Sequence, residues 1–366
     1  MKNLRNLVIL LLVVGLFCVA PTLLLPMIDA GVAFPHVQVP AEKLTEINLL
    51  GQNITITNTL VSVLVADIVL LALVLPIGAV VRRKAAQFAA NPRAVDADGN
   101  DLMVPKGWHN TFEAIIEYMY NLNEQVVGAR WAGKVFPLAI TIFLFVLVAN
   151  WLHFLPITDS VGILHCADES HGLRGFPAEE IGHSGIYRLV VDTPLAKAEG
   201  SVCPSHEAES EGESHGVEEG LNYVVTPFVR TAATDMNLPL AIAIISMVMV
   251  QVWGFQELGV GYFGKFLNLE ALSRGPIGII EFGVGLLELV SEFLKVVSFT
   301  LRLFGNIFAG SILLFVLIFL IPVGAPLAFF FFEVLVGILQ AFVFAMLTMV
   351  FTSVAQAGHG SPEEEH

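Results

Sequence analysis

Charge is scarce in this chain. Asp, Glu, Lys and Arg make up 14% of its 366 residues, while hydrophobic residues make up 55%. Soluble domains carry roughly a quarter charged residues. Together with a mean hydropathy of +0.76, the shortage excludes a soluble globular domain. Signatures of soluble catalysis are missing as well: no Walker A glycine loop, zinc-ligand pattern or GxSxG elbow stands outside the apolar runs. There is no internal repeat of the kind that builds secondary transporters around a midplane site, and no filter-like segment of the kind that lines ion channels. Cysteine is limited to Cys18, Cys166 and Cys203.

What the chain does have is long apolar runs. Stretches near 6–28, 57–81, 136–156 and 237–257 reach the ~20 residues that cross a hydrocarbon core. Two longer ones follow, 276–320 and 325–354. The pattern predicts an all-α integral membrane protein with five core membrane helices behind an N-terminal apolar segment. Lys2 and Arg5 precede the first run, Arg82, Arg83 and Lys84 follow the second, Arg130 and Lys134 precede the third, and Lys265 and Arg274 lie between the fourth and fifth. All four clusters share the cytoplasmic side if the N-terminus is cytoplasmic and every run crosses once. The tail 355–366, acidic at its end, then lies in the cytoplasm too. Residues 1–30 read equally as a signal peptide, with Ala20 or the Gly31–Ala33 stretch near a cleavage site, or as an extra membrane helix. Neither reading changes the orientation of the later spans.

Between the spans, residues 31–56 form an external segment and 258–275 a cytoplasmic loop. The 82–135 link carries TFEAIIEYMYNLNEQVVGAR, in which Phe112, Ile115, Ile116, Met119, Leu122 and Val126 recur at helical spacing. This predicts an amphipathic helix along the membrane interface or against a neighbouring subunit. Residues 157–236 hold 14 Asp or Glu against 4 Lys or Arg and supply most of the formal net charge of −15. That loop faces outside. Three readings of it stand: a disulfide between Cys166 and Cys203 in an oxidising compartment, a metal site using His165, His171, His183, His206 or His215, or a solvated acidic insertion. The spacing fits no compact zinc pattern, and 207–220 has the composition of a flexible segment.

The last two runs are too long for upright spans. A helix over 276–320 would extend nearly ~70 Å, so it bends, breaks or lies steeply tilted. With 321–354 as the second arm behind the short PVGAP turn, the pair predicts a slanted hairpin. Taking Glu281 as zero, Glu288, Glu292, Lys295, Arg302 and Asn306 all fall within about 80° of one helix face. Lipid would penalise each of them, so this stripe faces protein, water or both. Pairs such as Glu288 with Lys295 and Glu292 with Lys295 account for the first four residues. They leave Arg302 unexplained, its candidate carboxylates being more than two turns away. On the second arm Glu333 and Gln340 share a face. A lone Gln reads as an interhelical hydrogen bond, but a carboxyl group within FFFFEVLVGIL requires a raised pKa or a wet cavity.

The stretch from Glu288 through TLRLFGNIFAG, followed by ILQAFVFAMLTMVF at 338–351, resembles the subunit a family of the proton-translocating F-type ATP synthase, of the bacterial type with an enlarged acidic external loop. NITITNTLV (53–61) and TDMNLPLAIA (234–243) are similar to the beginnings of the family's earlier spans, so the likeness covers about 50–354. It implies a stator subunit, not itself catalytic, within the two-sector ATPase. Arg302 matches the family's essential arginine, set against the c-subunit ring. Asn306 and Gln340 match polar residues near it, Glu288 an acidic position of the cytoplasmic access path, and Glu333 a His or Glu position lining the path from the other side. Ser311 stands where other members often place Glu or His beside that residue.

The partners implied are the c-subunit ring, the b-subunit peripheral stalk, other ATP synthase subunits, the lipid bilayer of the inner (plasma) membrane and the transported protons. No cofactor, metal or nucleic acid is expected. A proton-coupled secondary transporter, which would also use intramembrane Arg and Glu, is the alternative class.

Overall fold

The computed structural model describes residues 41–49, 52–90, 108–152, 154–155, 158, 161–166, 176–180, 186–189, 222–259, 261–266, 276–320 and 325–357. The N-terminal apolar run, the 207–220 segment and the acidic end of the tail lie outside them. The chain divides into two units: the described parts of Met1–Ser62, His153–Thr234 and Asn306–Val336 form one, and those of Val63–Leu152, Asp235–Gly305 and Gly337–His366 form the other.

The first unit begins with an antiparallel pair, β1 (Lys43–Leu49) and β2 (Gln52–Thr57), in register Leu49↔Gln52. Two residues remain between the strands, one of them Gly51, the spacing of a tight hairpin. The hairpin is tied to the helix that follows, α1 (Asn58–Ala90). Asn58 is fully buried; its side chain donates to Glu42 Oε2 at 3.1 Å and accepts from the Glu42 amide at 3.2 Å. Ser62 donates to the Asn58 carbonyl at 2.8 Å and accepts the Arg230 amide at 2.9 Å. The Asn58 amide donates to the Glu42 carbonyl at 3.1 Å and the Leu60 amide to Thr57 Oγ1 at 3.4 Å, satisfying backbone groups that a helix start leaves open.

The same unit contains a four-stranded sheet of order β3-β6-β4-β5, made of β3 (Gly162–Cys166), β4 (Phe176–Glu180), β5 (Tyr187–Leu189) and β6 (Asn222–Pro227), all antiparallel. The acidic insertion is thus partly folded. Its ends, GILHC and NYVVTP, are rich in the β-branched and aromatic residues that suit strands, and charge counting alone overlooks them. Cys166 lies on β3 opposite Tyr223, but Cys203 and four of the five loop histidines fall outside the described residues, as does the candidate disulfide with them. Among the described residues no group of three or more His, Cys, Asp or Glu is placed to hold a metal.

Five helices are long and apolar enough to cross a membrane. They are α1, α3 (Ala129–Leu152), α4 (Asn237–Leu258), α6 (Pro276–Leu320) and α7 (Ala325–Gln356). The predicted amphipathic helix is α2 (Trp108–Val127), and a short α5 (Gly261–Phe266) follows α4. Helix boundaries exceed the apolar runs: α1 continues through Arg82–Lys84 to Ala90, and α3 begins at Ala129, before its hydrophobic stretch. Of the three options for the first overlong arm, a break is ruled out, because α6 is one uninterrupted helix.

In the second unit α2 lies against α3. Met119 and Asn123 are buried, Asn123 donates to the Ala132 carbonyl at 2.9 Å, and Tyr120 meets Phe136 edge-on at 5.1 Å. Ile115, expected on the covered face, is 41% exposed. Gly128, at φ 85°, makes the turn between the helices in a left-handed conformation that other residues resist. Along α6 and α7, Phe299 stacks on Phe344 at 4.6 Å and the Lys295 ammonium lies over Phe351 at 4.8 Å. The pairing order makes these segments antiparallel, as the hairpin reading expects. Between α4 and α7, Ser246 and Thr348 share a hydroxyl bond of 2.8 Å, while Thr348 and Thr352 donate to the carbonyls of Phe344 and Thr348 at 3.0 and 2.8 Å. Asn150 of α3 donates to the Gly337 carbonyl of α7 at 3.4 Å.

Glu257, at the end of α4, accepts from Arg130 at 2.6 Å and from the Trp131 indole at 3.0 Å. The Arg130 side chain is 78% exposed, so its ion pair is worth little; the buried Trp131 N–H is the costly group to orphan, at roughly 1–3 kcal/mol. Glu257→Ala is expected to lower the thermal midpoint of the detergent-solubilised protein and red-shift Trp131 fluorescence, whereas Arg130→Ala leaves both nearly unchanged. Equal losses in the two variants would place the stabilisation in the ion pair instead.

Candidate functional site

Arg302 sits on α6 one turn after Ser298. Its guanidinium reaches Ser298 Oγ at 3.5 Å and lies 5.9 Å from the Phe299 ring centroid. Phe299 is buried by its stack on Phe344, which fixes the helix face from which Arg302 projects outward. Among the described residues no carboxylate lies within ion-pair distance of Arg302. It lines a cleft of roughly 210 Å³ with Ser291, Leu294, Lys295, Ser298, Phe299 and Phe351. Leu294, which lines the same cleft, is 56% exposed, and Leu301, next to Arg302 in sequence, is 50% exposed.

Two of the remaining stripe residues pair within the chain. Lys295 Nζ donates to Glu292 Oε1 at 2.5 Å, realising one of the two predicted pairs. Glu292 Oε2 accepts from Gln251 Nε2 of α4 at 2.9 Å, and the Tyr262 phenol of α5 donates to Gln251 Oε1. Burial first, then the Glu292 and Glu288 carboxylates, push the Tyr262 phenol up to about 12. Glu288 is therefore near this cluster, half-buried. The side chain of Glu281 is outside the described set. Gln251 and Tyr262 carry no signal that reading one helix at a time could pick up: each is a single polar residue on another element, and only packing brings them to Glu292.

Within the other unit, Glu333 is 6% exposed and lines a second cleft of roughly 200 Å³ with Asn306, Ile307, Ala309, Gly310, Leu313, Phe329, Phe332 and Val336. Gly310 makes room for it: a Cβ there would lie 2.6 Å from Glu333 Oε1. Ser311, the position expected beside Glu333, is buried and donates to the Ile307 carbonyl at 2.9 Å, so its proton is committed to its own helix and it does not line the cleft. Gln340 lines neither cleft. It is buried, and its Nε2 has no hydrogen-bond partner among the described residues. Arg302 is thus gathered with Lys295 and Glu292, and Glu333 with Asn306; Gln340 and Ser311 stand apart from both groups.

Comparison with known proteins adds an independent line. The family model described as ATP synthase A chain matches residues 60–353. ATP synthase subunit a of Mycobacterium bovis (strain ATCC BAA-935 / AF2122/97) is 32% identical over 268 residues, covering 72% of this chain and 78% of that protein. The Mycobacterium leprae (strain TN) protein of the same description is 31% identical over 70% of this chain and 76% of its own length. A Shewanella sp. (strain W3-18-1) subunit a is 34% identical over a shorter 142 residues, 37% of this chain.

Gly310→Ala should force the Glu333 carboxylate aside and lower the thermal midpoint slightly, toward the low end of the roughly 1–3 kcal/mol destabilisation typical of overpacking, because the crowded atom is the tip of a flexible side chain. Adding Glu333→Asp, which shortens the side chain, is expected to recover most of the loss. A double variant as unstable as Gly310→Ala alone would show that the glycine serves another neighbour.

Proposed function

The chain belongs to the ATP synthase A chain family, the proton-channel subunits of the synthase membrane sector, and on that premise we propose that Arg302 is the electrostatic gate between two aqueous half-channels. The chain is a multi-pass membrane protein that assembles with other ATP synthase subunits; the secondary-transporter alternative is not favoured. In our reading it is a non-catalytic stator. Its α6 face meets the c-subunit ring, the b-subunit stalk anchors it, and Lys and Arg near the span ends put the C-terminus in the cytoplasm of an inner-membrane protein.

The observation that carries the proposal is the outward guanidinium without a carboxylate of its own chain among the described residues. A rotor carboxylate can cross lipid only when neutral, because a bare charge there costs several kcal/mol. It takes a proton from one water-filled path and loses it into another. Between the two, something must hold the ionised carboxylate and stop protons from running straight through. A guanidinium does both: it stays protonated and makes charge-assisted bonds to carboxylate, whereas a buried lysine can lose its proton. Glu333, with Asn306 and the cleft around them, lines the uptake path, and Glu288 the release path. Gln340 of α7 lines neither cleft and takes no direct part in the gate, and Ser311 contributes structure through its bond to the Ile307 carbonyl. Each proton crossing at 100 mV delivers about 2.3 kcal/mol, so several are needed per nucleotide.

Arg302→Ala is expected to abolish proton-driven ATP synthesis in membrane vesicles while the complex still assembles; normal synthesis in that variant removes the gate assignment. Glu333→Gln should slow proton uptake severalfold, measured as passive proton conductance through the membrane sector with its catalytic sector stripped. A conductance unchanged across pH would move the relay to water or another side chain.

A further inference from the structure

The cleft that holds Arg302 contains a second cation for which the mechanism above has no use. Lys295 precedes Arg302 by seven residues on α6, two turns along the same face, and both line the cleft. A carboxylate travelling along that face would meet two attractive stations. A stop at the ammonium would be idle, since it lies off the boundary between the two paths.

The chain supplies a counter-charge, and supplies it in a fixed pose. The Lys295 and Glu292 side chains are 19% and 13% exposed and bonded at 2.5 Å. The second carboxylate oxygen of Glu292 is held by Gln251 Nε2 at 2.9 Å. A glutamine can turn either end of its amide toward a neighbour, and the oxygen end would repel a carboxylate. The Tyr262 phenol decides the matter by donating to Gln251 Oε1, leaving the NH₂ end for Glu292. Tyr262 in turn fits because residue 254 is glycine: a Cβ there would lie 2.7 Å from Tyr262 Cε2 and 3.1 Å from the Ala355 carbonyl. With its phenol pushed up to about 12, Tyr262 remains a donor throughout the neutral range.

We propose that Tyr262 and Gln251 are positioning residues that clamp Glu292 onto Lys295, so that the ammonium is silenced and Arg302 alone captures the passing carboxylate. This rests on the gate reading of Arg302. Removing one member of a buried ion pair leaves the other charge uncompensated, and here that charge would face the cleft. The defect of a broken clamp is therefore a surplus attraction, and deleting the lysine cures it.

The test is proton-driven ATP synthesis by the full complex in vesicles, with complex content measured in parallel. Glu292→Gln is expected to slow synthesis per complex about tenfold, and Glu292→Gln/Lys295→Met to return it to within about twofold of the unmodified chain. Tyr262→Phe, which removes one oxygen, should show a smaller slowing with the same rescue by Lys295→Met, and it carries the test if Glu292→Gln fails to assemble. Deleting the lysine would also relieve a purely structural defect caused by its unpaired charge, so the deciding readout is synthesis per assembled complex, which a loss of assembly alone leaves unchanged. The proposal is overturned if the double variants are as slow as the singles, or if Tyr262→Phe and Glu292→Gln both run at the normal rate. Arg302→Ala, run alongside, separates the two ideas: synthesis surviving there sinks the gate itself, while synthesis lost there without lysine suppression sinks only the clamp.

Discussion

A cation sunk in hydrocarbon must be matched by an anion, and where the anion comes from decides what the cation does. At the centre of a membrane helix an arginine costs roughly 2.5–3.5 kcal/mol on insertion scales. Lys295 meets that demand inside the chain, through Glu292. Arg302 does not, among the described residues, and its exposed side chain projects outward from α6. Seven residues of one helix thus separate a charge paired within the chain from one with no carboxylate in ion-pair reach among the described residues.

The helices around this contrast serve it by geometry. A helix of 45 residues is far longer than an upright crossing needs, and its polar stripe can remain on one face only because no proline or break resets the helical phase. Phe299 and Phe344, stacked at 4.6 Å, set that phase against α7. Gly254 and Gly310 act where side chains from neighbouring elements must come close, the first beneath the Tyr262 ring and the second beside the Glu333 carboxylate.

Much of this is legible in the sequence because the membrane simplifies the code. Length and apolarity alone reveal the five spans, and the 100° step reveals the stripe, since lipid tolerates no scattered charge. Arg302 and Glu333 stand out for the same reason. What sequence reading misses is what depends on pairs of elements. The sheet in the acidic insertion needs β3 and β6 to be brought together across more than fifty residues, against a composition that speaks for solvent. Gln251 and Tyr262 acquire meaning only when α4 and α5 are laid against α6. Ser311 stands where other members of the family place a titratable partner for Glu333, and only the structure shows that its hydroxyl donates to the Ile307 carbonyl.

The hydroxyl seam between α4 and α7 shows how polar residues can hold two apolar helices together. Thr348 and Thr352 point their protons at the helical carbonyls behind them, and Ser246 can only give its own to Thr348. With every one of these donors engaged and all three residues fully buried, the seam joins α4 to α7 without stranding a hydroxyl, which would cost roughly 1–3 kcal/mol for each one left unpaired.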